Sequence, residues 1–278
     1  MEPRAKSGKY WDRAWSLVDG CTPVSPGCEH CWSKAMGERF HRWPEKAMPR
    51  RDRLDIPLKV KKPTVWAVWN DLFHEDVPFR FICDTIEIIK NCPQHIFLIL
   101  TKRPERALEI FTALLSPPLD KFNKCKNLWL GVTAENQEMA DSRIPELLEI
   151  PAAKRFVSIE PMLGPIDIER HLWNYIYVNN STLNKNGERV DWVICGGETS
   201  PKARPMHPDW VRNLRDQCQA AGVPFWFKGW GEWGPSHQSE SYYCKGKEII
   251  LDNMYFRKVG RKNTGRLLDG WEYSEIPK

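Results

Sequence analysis

A chain of 278 residues, 41% hydrophobic and 28% charged, is long enough for one large barrel or two ordinary domains. Its 41 basic against 36 acidic residues leave a formal charge of +5, compatible with an anionic partner but far from the density of a dedicated nucleic-acid tail. No stretch approaches the roughly 20 apolar residues of a membrane span, and the basic start at Arg4, Lys6 and Lys9 has no apolar run behind it. No membrane partner and a cytoplasmic location are therefore expected.

Residues 14–18 read as a short first strand that delivers the loop Gly20-Cys21-Thr22-Pro23-Val24-Ser25-Pro26-Gly27-Cys28-Glu29-His30-Cys31-Trp32. Three of the nine cysteines fall within eleven residues of this loop, at C-x6-C-x2-C spacing. An odd cysteine count without a secretion signal argues for thiols or metal ligands in a reducing compartment rather than a disulfide framework. Three soft thiolates so spaced can converge on one inorganic centre, because the C-x2-C half curls round a metal and the Pro/Gly arm returns the first cysteine. A cubane iron–sulfur cluster with one iron left for an exchangeable ligand fits the count directly. A closed zinc site needs His30 or a distant cysteine as its fourth ligand, and three unrelated buried thiols is the plain structural reading.

After the loop, residues 33–42 predict a helix, and residues 43–62 a basic connecting segment without apolar period. Its Arg50, Arg51, Arg53, Lys59, Lys61 and Lys62 either line the path of an anionic substrate or face solvent. From residue 64 a short apolar run, a polar end and a helix-like segment repeat, with runs at 64–69, 96–100, 128–132, 156–159, 192–195 and 223–227. Continuous apolar runs are the mark of parallel strands buried on both faces, and helices such as 79–90 and 208–221 alternate with them. With the first strand this makes seven βα units, which most simply close into a TIM-barrel-like fold, complete or partial. An open doubly wound sheet is the competitor. Residues 167–190 interrupt the rhythm with loop chemistry at 179–187, and glycines 246, 260, 265 and 270 suggest hairpins near the end. The expected organisation is a β/α barrel over residues 1–234 with a small β-hairpin extension over 235–278.

The polar strand ends collect the residues able to carry chemistry. Asn70 with Asp71, Thr133 with Glu135 and Asn136, and Glu160 before Pro161 all sit where a barrel presents side chains to a ligand, though each is also a plausible helix cap. Thr101-Lys102-Arg103 adds donors, Arg103 suiting two-point recognition of a carboxylate or phosphate or else a plain ion pair. His74 and His207 suit proton transfer or an ordinary structural hydrogen bond. Trp226, Trp230 and Trp233 around Lys228 suggest a stacking wall for a base, or core filling. In Gly196-Gly197-Glu198 two glycines admit a close backbone approach and the carboxylate can accept from an ammonium group; on spacing alone the triplet is a turn.

The cysteine loop, the following Trp32-Ser33-Lys34-Ala35-Met36 and the distant Gly196-Gly197-Glu198 resemble a phage-borne three-cysteine-motif family of uncharacterised proteins. So do Asp71-Leu72-Phe73-His74-Glu75-Asp76-Val77-Pro78, Phe156-Val157-Ser158-Ile159-Glu160-Pro161-Met162-Leu163-Gly164-Pro165, Ala203-Arg204-Pro205-Met206-His207-Pro208-Asp209-Trp210 and Lys228-Gly229-Trp230-Gly231-Glu232-Trp233. That family is similar to a divergent branch of the radical S-adenosylmethionine superfamily. The resemblance implies a TIM-barrel-like fold, a [4Fe-4S] cluster on Cys21, Cys28 and Cys31, and S-adenosyl-L-methionine as the open-site ligand. Gly196, Gly197 and Glu198 are then expected at its methionine amino group, with Glu160, Thr133 and Asn70 beside them. The chain departs from the superfamily pattern in its first cysteine gap of six, in His30 at the usual aromatic position, and in a late Gly-Gly-Glu.

The expected function is thus a radical S-adenosylmethionine-like iron–sulfur enzyme that takes electrons from a donor and acts on nucleic acid or a nucleotide-derived substrate. A phage-encoded chain would work in the host cytoplasm. The alternative is a zinc-stabilised, non-catalytic nucleic-acid-binding protein. A metal-independent barrel hydrolase using Glu160 and Glu198 leaves the cysteines without a role.

Overall fold

The computed structural model describes residues 8–41, 43–115, 125–173, 188–236 and 245–278. In chain order these form β1 (Arg13–Trp15), β2 (Val18–Asp19), α1 (Trp32–Arg39), β3 (Met48–Pro49), β4 (Val65–Val68), α2 (Phe79–Lys90), β5 (Ile96–Thr101), α3 (Pro104–Leu115), β6 (Leu128–Thr133), α4 (Gln137–Glu149) and β7 (Lys154–Ile159). There follow α5 (Glu169–Leu172), β8 (Trp192–Gly196), α6 (Pro208–Ala220), β9 (Phe225–Gly229), β10 (Trp233–Pro235), β11 (Lys247–Leu251), β12 (Met254–Lys258) and α7 (Arg261–Thr264). The fold is mixed α/β.

Seven strands share one sheet in the order β1-β4-β5-β6-β7-β8-β9. The sequential order speaks against the doubly wound alternative: such a sheet reverses its strand order at a switch point, and here the order never reverses. Each of the seven corresponds to a predicted run, except that the first divides. Residues 13–15 enter the main sheet, while β2 turns aside to pair with β3, Val18 opposite Pro49.

The chain divides into two compact units: Met1–Val24, Ser33–Thr133 and Ser142–Phe156 form one, and Ser25–Trp32, Ala134–Asp141 and Val157–Lys278 the other. Cys21 belongs to the first unit, Cys28 and Cys31 to the second.

In the first unit β1, β4, β5 and β6 pair in parallel, with Trp15 beside Val68, Ala67 beside Leu98 and Ile99 beside Leu130. All of β4 is buried, as a strand covered on both faces must be. Helix α2 buries Phe81, Ile82, Thr85, Ile86 and Ile89, one face at helical spacing. The basic segment is tied into this unit by ion pairs, Arg50 and Arg53 to Asp19 and Arg51 to Asp84, while Lys59 pairs within the segment with Asp55.

In the second unit β8 and β9 pair in parallel, with a shift between Cys195 and Gly196. Helix α6 buries Pro208, Val211, Leu214 and Cys218, and His207 caps it by accepting from Asp209 N at 3.2 Å. A three-stranded antiparallel sheet, β10-β12-β11, carries a hairpin whose turn is Asp252-Asn253, both at positive φ (49° and 62°). That turn needs the left-handed region, which Asp and Asn tolerate, so this hairpin is made without a glycine. Gly270 does make one of the expected turns: with Asp269 (φ 82° and 53°) it links Leu268 and Trp271, whose backbones exchange two hydrogen bonds. Trp226, Trp230 and Trp233 are core residues, Trp230 donating to Leu267 O and Trp233 to Ala203 O. The loop chemistry at 179–187 lies outside the described residues. Among the described residues no helix is long and apolar enough to cross a membrane.

Candidate functional site

The first arm of the cysteine loop leaves β2 through Gly20, whose φ of +84° only glycine adopts without strain. Cys21 and Thr22 then meet Arg103, just past the end of β5. Its Nε donates to Glu75 Oε1 (2.8 Å), and Nη1 donates to Asp71 Oδ2 (3.0 Å) and to the Cys21 sulfur (3.8 Å). Nη2 donates to Thr22 O (3.3 Å) and Thr22 Oγ1 (2.8 Å). A guanidinium has five N–H donors, and these five bonds account for all of them. No donor is left for the substrate carboxylate or phosphate that sequence suggested. Burial works against the charge, but Glu75 and Asp71 outweigh it and hold the guanidinium above the usual arginine range.

Asp71 is the hub beneath Arg103. Its Oδ1 accepts from Thr101 Oγ1 (2.7 Å) and Phe73 N (3.0 Å), and its Oδ2 from Lys102 N (3.2 Å) besides Arg103. His74 completes the arm. Asp76 N donates to its Nδ1 (3.1 Å), so Nε2 carries the proton and donates to Thr22 Oγ1 at 2.9 Å. Burial, and after it Arg103, lowers the His74 pKa and keeps the ring neutral. Asn70, at φ 60°, accepts from Ser33 Oγ (2.7 Å) and donates to Val18 O (2.6 Å). It therefore bonds to the chain on both sides of the loop, before Cys21 and after Cys31.

The second arm lies in the other unit. Pro26–Cys28 form a 3-10 turn, and Cys31 N donates to Cys28 O at 3.3 Å, so C-x2-C curls through a single turn. Glu135 Oε1, fully buried, accepts from Gly27 N (2.9 Å). Arg204 reaches the same turn, Nη2 to Pro26 O (3.0 Å) and Nη1 to Glu29 Oε2 (3.1 Å). It also grips Glu198 as a fork, Nε to Oε2 (2.9 Å) and Nη2 to Oε1 (2.7 Å). That bond to Glu198, more than anything else, raises the Arg204 pKa. The His30 ring stands between two carboxylates, Nδ1 3.5 Å from Glu198 and Nε2 3.8 Å from Glu29.

A family model described as "Protein of unknown function (DUF5131)" matches residues 6–277. The chain belongs to the DUF5131 family. Comparisons with curated proteins and with solved structures find no match.

In this DUF5131 chain Gly196-Gly197-Glu198 packs backbone to backbone on Gly229-Trp230-Gly231. A Cβ on Gly197 would stand 2.0 Å from Trp230 O, and one on Gly231 2.3 Å from Glu198 O. The glycines thus admit a neighbouring strand end, an account of them that needs no ligand. At Gly196 a Cβ would meet Glu160 Oε1 at 2.7 Å. Glu160 in turn pairs with Lys228 Nζ (2.8 Å) and accepts from Ser158 Oγ (3.4 Å), gathering the ends of β7, β8 and β9. Thr133 is buried, its carbonyl accepting from Arg143 Nη1 (2.8 Å), and Asn136 caps α4 by accepting from Met139 N (2.9 Å). Sequence reasoning gave Arg204, Glu29 and Thr22 no role of their own, since a lone arginine, glutamate or threonine in a loop carries no local pattern.

The DUF5131 cysteines 21, 28 and 31 are half-buried and form no disulfide. Among the described residues no group of three or more His, Cys, Asp or Glu is arranged to hold a single metal ion.

Proposed function

We propose that this protein is an iron–sulfur enzyme of the radical S-adenosylmethionine type, with Cys21, Cys28 and Cys31 as ligands of a [4Fe-4S] cluster. One observation carries the reading: each arm of the three-cysteine loop is held by an arginine that is itself anchored on carboxylates, Arg103 bonding to Cys21-Thr22 and Arg204 to Pro26 and Glu29. A loop of three unrelated core thiols needs no such bracing. The donor set fits the group, because three thiolates leave one iron of four open to an exchangeable ligand. When bound, the cluster and S-adenosylmethionine supply one-electron chemistry that no side chain offers.

The protein's own residues position and shield. Asn70 joins the chain before and after the loop, and Glu135 and Arg204 fix the C-x2-C turn. Glu198 is the proposed acceptor for the cofactor's amino group, in competition with the Arg204 fork; Gly196, Gly197, Glu160, Thr133 and Asn70 are the further residues proposed for the cofactor. The unreversed strand order supports a partial β/α barrel as the scaffold. Nucleic acid or a nucleotide-derived compound is the proposed substrate on the strength of the +5 charge and the family resemblance. The buried tryptophans add nothing to that choice. An external electron donor completes the scheme.

Anaerobic reconstitution with iron and sulfide tests the reading. The expected product is brown, with close to four irons per chain by the cluster type and broad visible absorption; Cys28→Ala should lose most of the iron. A colourless wild type that retains zinc would favour the zinc-stabilised binding module instead.

A further inference from the structure

We infer that Arg103 is a positioning residue for the metal–sulfur centre, fixing the Cys21 sulfur through an N–H···S bond and setting the electron affinity of the centre that sulfur ligates. The inference rests on the iron–sulfur reading above and extends it to a residue with no place in the cysteine motif. Three of the five guanidinium donors go to Cys21 and Thr22; the other two go to carboxylates that hold the head group still. Asp71 is itself immobilised by Thr101, Phe73 and Lys102, so Arg103 has a buried and rigid seat. Thr22 is gripped twice, its hydroxyl oxygen accepting from both Arg103 and His74. The backbone that carries Cys21 is pinned by the same cation that faces its sulfur.

The chemistry follows from charge. A guanidinium keeps its proton throughout, so it presents a permanent positive charge and a donor to the sulfur. Donors to cluster sulfurs and nearby positive charge favour the reduced, more negative state of an iron–sulfur centre and raise its potential. A structural clamp alone would not need a donor on sulfur, and its replacement would change iron retention without moving the potential of the iron that remains.

The test uses the full chain, reconstituted anaerobically, as wild type, Arg103→Lys and Glu75→Gln, with iron and sulfide per chain and a midpoint potential followed by electron paramagnetic resonance. Lysine keeps the charge but has three donors for five acceptors, so Arg103→Lys should shift the potential to more negative values. Glu75→Gln removes an exposed carboxylate from the guanidinium, keeps the iron, and should shift the potential the other way. If Arg103→Lys does not retain iron, Glu75→Gln still decides. Iron-loaded variants with the wild-type potential would overturn the inference and leave the cluster reading standing. A wild type that takes up no iron would overturn both.

Discussion

Glu198, 4% exposed at its side chain, receives three bonds from Arg204: the backbone N at 2.8 Å, Nε at 2.9 Å and Nη2 at 2.7 Å. The same guanidinium holds the turn that contains Cys28. Arg204→Ala leaves a buried carboxylate with the backbone bond but no fork, for which about 1–3 kcal/mol of stability is expected to be lost. Arg204→Lys restores charge without two-point geometry and should recover only part of that. Urea unfolding checks the order. Iron per chain should fall in the same order if the fork secures the turn.

The two carboxylates of Arg103 differ in burial, and their removal should differ accordingly. Asp71 is 7% exposed beside a guanidinium that is 6% exposed, whereas Glu75 is 62% exposed. Asp71→Ala strands a buried charge and is expected to cost about 3–5 kcal/mol. Glu75→Ala breaks a solvent-screened pair, worth about 0–1 kcal/mol. Equal losses in denaturant titrations would show that the Asp71 hub is not what supports Arg103.

Gly196 and Gly197 are neighbours with unlike tolerances. The Cβ of Gly197→Ala would fall 2.0 Å from a backbone oxygen, so a strand end must move, and a loss beyond the usual overpacking range of about 1–3 kcal/mol is expected. In Gly196→Ala the obstacle is the tip of Glu160, which can swing aside at the expense of its pair with Lys228. That variant should stay within the range. Comparing soluble yield and urea midpoints of the two variants checks the ranking.

His171, 5% exposed, has its pKa lowered to about 4, chiefly by burial and next by Arg170, whose Nε donates to its Nε2 at 3.0 Å. Asp141 and Asp167 oppose the shift. Between an unfolded value of about 6.5 and the folded value, the unfolded chain binds a proton that the folded chain refuses. Stability is therefore full above about pH 6.5 and falls as the pH drops toward about 4, by about 3 kcal/mol in total at about 1.4 kcal/mol per unit. His171→Gln keeps an acceptor for Arg170 and should flatten that slope. Urea midpoints at a series of pH values between 7 and 4 would detect it, and an unchanged slope in the variant would assign the acid sensitivity elsewhere.

By itself the sequence determined the local elements. Six apolar runs and the short first strand became the seven strands of the main sheet; the six could be read residue by residue, because a strand covered on both faces is apolar along most of its length. The cysteine loop and its curl were legible for the same reason, being set by prolines, glycine and a spacing of three. What holds the loop was decided only by tertiary structure. Arg103 meets Cys21 across 82 positions of chain, and Arg204 meets Pro26 across 178, so neither pairing leaves a periodic trace in either segment. Burial decided between the two readings of the tryptophans in favour of core filling, since an indole whose N–H finds a carbonyl is stable in the core, and nothing local to Trp230 or Trp233 announces Leu267 or Ala203 as the partner. The Gly196-Gly197 pair shows the same division. Its lack of side chains is written in the sequence, but only the approach of the Trp230 backbone gives that absence its physical cause.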